Sequence, residues 1–172
     1  MSARLPSPTR SASSRAEVFL GYIDYFRSVV LDKVGGLGED DLRTSRLPSG
    51  WAPLELVKHL TFVERRWLVW GFEGQALADP WGDSSDSPEK RWTIGAGESA
   101  ADLFRALETQ GAVTRDLVQR HDLDEIGQPG ERWDGAEPAT LERVLFHLLQ
   151  EYARHLGHLD VVRELIDGTA GE

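Results

Sequence analysis

The chain has 172 residues, with 29 acidic against 19 basic side chains, a formal net charge of −10 and no cysteine. That balance argues against nucleic acid as a partner, because phosphate binding needs concentrated positive charge. The missing cysteines exclude disulfides, thiolate zinc sites and a cysteine nucleophile, so any thiol chemistry must use a thiol brought in from outside.

Residues 1–13 are rich in Ser, Arg and Pro without periodicity and predict a disordered tail. They hold no apolar segment of the secretory kind, and no later run approaches the ~18 apolar residues of a membrane span, so a cytoplasmic location is expected. Ser14-Arg-Ala-Glu17 fits a capping box. The helix it opens runs to about Val34, with Phe19, Tyr22, Ile23, Phe26 and Val30 facing the core, and Gly35, Gly36 and Gly38 stop it.

The connector Gly38 to Ala52 leads to Pro53, well placed at a first helical position, although Ala52 is a poor cap. The second predicted helix runs from Pro53 to about Phe72 and buries Leu56, Leu60, Val63, Trp67 and Trp70, with Gly74 after it. His59 lies next to Leu56 and Leu60, where it fits either a satisfied core histidine or a ligand. Residues 74–97 form a long polar connector carrying Trp81 and Trp92, a kind of loop that is often functional. Ser99-Ala-Ala-Asp102 caps a third helix reaching about His121, with Leu103, Leu107, Val113 and Leu117 inward. At that helix end the dipole favours a cationic His121.

A second connector, Asp122 to Pro138, carries Arg132-Trp133. Leu141 to Asp167 reads as one long fourth helix ended by Gly168. Leu141, Val144, Leu145, Leu148, Tyr152, Leu159, Val162 and Ile166 make its apolar face, while Asp160, Arg163 and Glu164 read as a solvated charged face. There is no internal repeat and no convincing strand. Four amphipathic helices with long connectors between helices two and three and between three and four predict an all-α four-helix bundle, one domain from residue 14 to 172. The first connector is long enough to let helices two and three lie parallel.

Glu151 and His155 fall inside the apolar face of the fourth helix, four residues apart and about 40° apart around its axis. A carboxylate in an apolar stripe is costly to bury unless something pairs with it. A divalent metal would do so, and so would a hydrogen-bonded Glu–His pair serving only the core. In a bundle, His59 can face both residues. Two histidines and a carboxylate leave an open coordination position, the mark of a catalytic zinc site, and suit nickel, iron or manganese as well. His158 fits an orienting or substrate-contacting role or a partly exposed helix histidine, and His147 fits packing. Arg154 fits a site for a carboxylate on an incoming thiol, or a surface ion pair. Sixteen of the 19 basic residues are Arg, a bias of GC-rich genomes that narrows which small thiols are plausible.

GWAPLELVKHL, followed downstream by HLLQEYARHLGHLDVVRELIDG, resembles the DinB-like superfamily and specifically its mycothiol-dependent, thiol-transferase-like branch. The resemblance extends over residues 15–168, and its most specific part is E-x-A-R-H-x-G-H-x-D from Glu151 to Asp160. It implies an up-down-down-up bundle and a metal triad of His59, Glu151 and His155. Glu at position 151, where many relatives have His, is the pattern of the mycothiol-dependent isomerase and its neighbours. That isomerase carries a further C-terminal domain, and with the sequence ending at Glu172 the isomerase reaction is not expected. The implied activity is a metal-dependent S-transferase, with mycothiol as thiol cosubstrate, zinc as the expected metal and a small electrophile as the other partner. The rival expectations are hydrolysis by a metal-activated water with His158 as general base, and a non-catalytic metal-binding stress or interaction protein that forms a homodimer through an exposed helix face.

Overall fold

The computed structural model describes residues 6–9, 11–78 and 93–171. Residues 1–5 and 10 of the expected tail, and Trp81 and Trp92 of the first long connector, lie outside the described residues.

Five α-helices bury a common apolar core, and no strand occurs among the described residues. Four of them supply most of that core, an arrangement compatible with a four-helix bundle. α1 (Arg15–Gly35) starts at Ser14, whose hydroxyl accepts the Glu17 N–H. The Glu17 carboxylate reaches back one residue further than a simple capping box, to the Ser13 N–H at 2.6 Å. A short helix not expected from the sequence, α2 (Glu39–Arg43), follows, anchored by buried Leu42. One apolar residue among charges gives no period to read.

α3 (Pro53–Glu64) has Pro53 in its first turn. Ala52 cannot cap with its side chain, and Glu55 Oε2 compensates by accepting the Ala52 N–H at 2.8 Å. The single second helix of the sequence reading is in fact two kinds of helix, because at Arg65 the coil widens into a π-helical stretch, Arg65–Phe72. Its last turn is followed by a Glu73 N–H bonded to Leu68 O at 2.9 Å. Such wide turns recur at functional sites.

α4 (Ala100–Arg120) begins at Ser99, which accepts the Asp102 N–H. Leu103, Leu107 and Leu117 are buried as their spacing predicts, but Val113 is 40% exposed. Thr114 takes the inward place instead, because its hydroxyl has a buried partner in Glu64. His121 is held by more than the helix dipole: its Nδ1 lies 2.9 Å from Glu125 Oε2 and its ring meets Phe72 edge-on.

α5 (Leu141–Asp167) opens with the Thr140 hydroxyl accepting the Arg143 N–H. It ends at Gly168, whose φ of +78° is a left-handed conformation that a side chain would resist. Asp160 and Arg163 are not simply solvated. Asp160 pairs with Lys33 of α1 at 2.6 Å, and Arg163 donates to the Lys33 carbonyl and to Asp167. Between α4 and α5, a 3₁₀ turn (Glu131–Trp133) packs on the π stretch, where Trp133 Nε1 donates to Gln128 O at 2.9 Å and Gly71 O at 3.2 Å.

Candidate metal centre

α3 supplies His59 from inside a run of buried residues, Leu54 through Glu64, broken only by half-buried Glu55 and Phe62. α5 supplies Glu151 and His155 one turn apart, the spacing that puts both side chains on one face. The fold brings all three together. One ligand atom from each lies within 4.8 Å of the others. His155 Nε2 is 3.2 Å from Glu151 Oε2, and His59 Nε2 is 3.6 Å from that same oxygen. The two imidazoles meet edge-on with centroids 4.8 Å apart.

The two separations from Glu151 Oε2 are close to those between neighbouring ligands of one cation, and the trio could hold a metal ion. Ligand arms of ~2.1 Å in tetrahedral array place neighbouring donor atoms about 3.4 Å apart. Two imidazole nitrogens and one carboxylate oxygen are also the right donors for zinc and the later divalent ions.

The protonation states agree with the donor set. Burial pushes the His59 imidazole down to about 4, helped by the nearby charges of His155 and Arg66 and opposed by Glu151. His155 and His59 hold the Glu151 carboxyl well below the usual carboxylate range. At neutral pH the site therefore presents a carboxylate and a neutral His59, the forms that bind a cation.

His147 Nε2 stands 3.7 Å from the other Glu151 oxygen, and its ring meets Trp67 edge-on at 4.6 Å. Arg132 lies 4.1 Å over the Trp67 ring, and Trp133 packs beside it at 6.0 Å. Burial lowers the His147 pKa, with Glu151 opposing and Arg132 and Arg66 assisting. On the opposite side His158 is exposed, its ring 5.9 Å from that of His155 and 6.4 Å from Trp51. Arg154 is exposed on α5. The trio thus sits between two histidine–tryptophan pairs, Trp67 with His147 and Trp51 with His158.

The sequence reading missed buried Arg66, close enough to act on both His59 and His147. It also missed Glu64, which lies in the core with no exposed surface. Both stand in the apolar stretch that carries His59, and that position was the available signal.

A family model described as mycothiol-S-transferase matches residues 18–168. No curated protein matches the chain. No helix among the described residues is long and apolar enough to cross a membrane.

Proposed function

The chain belongs to the mycothiol S-transferase family, and from that membership we propose that it transfers a low-molecular-weight thiol, mycothiol, to small electrophiles at a divalent metal held by His59, Glu151 and His155. The observation that carries the reading is the meeting of three ligand atoms from α3 and α5 within 4.8 Å. Zinc fits the donors best, and nickel, iron or manganese fit the same set.

A bound cation supplies Lewis acidity that ionises a thiol near neutral pH, where a free thiol has a pKa of ~8.5. The protein's part is to hold and orient. His59 stays neutral because it is buried, so no proton has to be displaced from it at pH 7. Glu151 contributes the one formal negative charge of the ligand set. In this reading His158 accepts the thiol proton, supported by its exposure and its ring 5.9 Å from that of His155. Arg154, one residue before His155, offers a cation for the polar part of the thiol. The sulfur lone pair forms the new S–C bond, and the leaving group departs with the electrons of its own bond. No side chain acts as covalent nucleophile.

The helices are proposed to run up-down-down-up. Arg15 pairs with Glu142 and Lys33 with Asp160, so α1 and α5 share a direction. Lys58 pairs with Glu98 and Glu73 with Arg120, so α3 and α4 share theirs. Trp51 meets His158 while Trp67 meets His147, so α3 and α5 are opposed.

The test is conjugate formation from mycothiol and a generic aryl halide by metal-depleted and zinc-reloaded protein. Turnover only in the reloaded sample is the expected result. A reloaded protein that leaves the thiol untouched overturns the proposal, and zinc-dependent ester cleavage without added thiol would move the chain to the hydrolases.

A further inference from the structure

Beneath the trio lies a second polar cluster that the transfer chemistry does not use. Glu64, the last residue of α3, is 0% exposed, yet each carboxylate oxygen is engaged. Arg27 of α1 donates from Nη2 to Oε1 at 2.9 Å and to Oε2 at 3.1 Å, and from Nε to Oε1 at 3.1 Å. Tyr152 of α5 donates its hydroxyl to Oε1 at 2.5 Å, and Thr114 of α4 donates to Oε2. Each of the four long helices therefore contributes one group. Room for the guanidinium comes from Gly111, where an added Cβ would lie 2.7 Å from the Arg27 Cζ.

Stability alone does not account for such a cluster. Apolar side chains of similar volume usually serve a core as well as a buried ion pair does. What directional bonds add is register, since leucine packing tolerates small sliding that a hydrogen bond does not. The register in question is that of α3 against α5. Tyr152 follows Glu151 directly, and Glu64 lies on the same helix as His59, about 7.5 Å further along at ~1.5 Å per residue. The bond between them joins the two helices whose approach sets the 3.6 Å gap between His59 and Glu151. A metal site tolerates only a few tenths of an ångström in its ligand distances.

We propose that the Arg27–Glu64–Thr114–Tyr152 cluster is the positioning device of the metal centre, fixing α3 and α5 at the axial offset that lets His59 share a cation with Glu151 and His155. Glu64 and Tyr152 are its positioning residues. The proposal rests on the metal-binding reading of the trio.

Cobalt(II) is the probe, because its visible absorption reports coordination geometry as well as occupancy. The full chain is titrated with Co(II) as wild type, as Glu64→Gln, as the milder Tyr152→Phe and Thr114→Val, and as Val30→Ala, a core control on α1. Tyr152→Phe is expected to weaken Co(II) binding about tenfold, on the scale of other supporting residues of metal sites, and to alter the band shape. Val30→Ala should lose thermal stability while keeping the wild-type spectrum and affinity. If Glu64→Gln does not fold, Tyr152→Phe and Thr114→Val give the reading. A wild-type spectrum and affinity in Tyr152→Phe and Thr114→Val would overturn the proposal, as would losses no larger than those of Val30→Ala. A wild-type chain that takes no Co(II) would instead overturn the metal reading, and this proposal with it.

Discussion

His59 Nε2 on α3 and Glu151 Oε2 on α5 stand 3.6 Å apart, the separation expected of two ligands on one cation and longer than a hydrogen bond. The pair joins α3 to α5 at a point flanked by His155 and His147 and within the electrostatic reach of buried Arg66. The buried imidazole and the half-buried carboxylate are two of the three groups that the proposed cation would share.

The first prediction concerns pH. The His59 pKa is lowered from 6.5 to about 4, so the folded chain keeps it neutral where the unfolded chain protonates it. Its contribution is fully present above about 6.5 and is lost as pH falls towards 4, on the order of 3 kcal/mol in all. The depressed Glu151 carboxyl acts in the same direction below the usual carboxylate range. Urea unfolding of the metal-free protein at pH 7 and pH 4.5 checks this, with His59→Asn expected to flatten the dependence between them. A wild-type stability that holds constant from pH 7 to 4.5 would rule it out.

Breaking the buried cluster one-sidedly should be costly. Glu64→Leu leaves Arg27 buried at 4% exposure without its main partner, and about 3–5 kcal/mol of stability should be lost. Replacing the polar groups together (Arg27→Met, Glu64→Leu and Tyr152→Phe) should restore most of that loss. Chemical denaturation of wild type and these two variants measures both effects, and a triple variant as unstable as Glu64→Leu would contradict the prediction.

Two helical glycines should respond oppositely to alanine. At Gly111 the new methyl meets the Arg27 guanidinium at 2.7 Å, and that group cannot swing away while Glu64 holds it. Gly111→Ala should therefore cost about 1–3 kcal/mol despite the better helix former. Nothing lies within 4 Å of a Cβ at Gly157, so Gly157→Ala should gain up to about 1 kcal/mol. Thermal melts that rank the two the other way would refute the packing described at Gly111.

The same residues explain what was legible in the sequence. α5 could be read from Leu141 to Asp167 because its apolar repeat is long and Gly168 ends it. Glu151 and His155 stand out as polar residues inside that repeat, a bundle lets His59 face them, and the resemblance implies all three as a metal triad. By the same logic Glu64 beside Val63, and Arg27 between Ile23 and Val30, were also polar residues in apolar stripes. Their charge hides them, because charged helix residues are mostly solvated and the partners that hold Glu64 lie on other helices. Val113 reads as inward because one apolar residue at roughly the right angle looks like core, but the Thr114 hydroxyl, whose partner is not local, takes that place. The π turn at Arg65–Phe72 left no trace, since one wider turn barely disturbs a short apolar pattern.

The metal content of the purified chain, by elemental analysis after zinc loading and desalting, bears most directly on the trio. Wild type should hold about one zinc per chain, the amount set by a single three-residue site. His155→Ala should hold almost none while keeping wild-type helicity by circular dichroism. Near-stoichiometric zinc in His155→Ala, or none in wild type, would contradict the assignment of His59, Glu151 and His155 as its ligands.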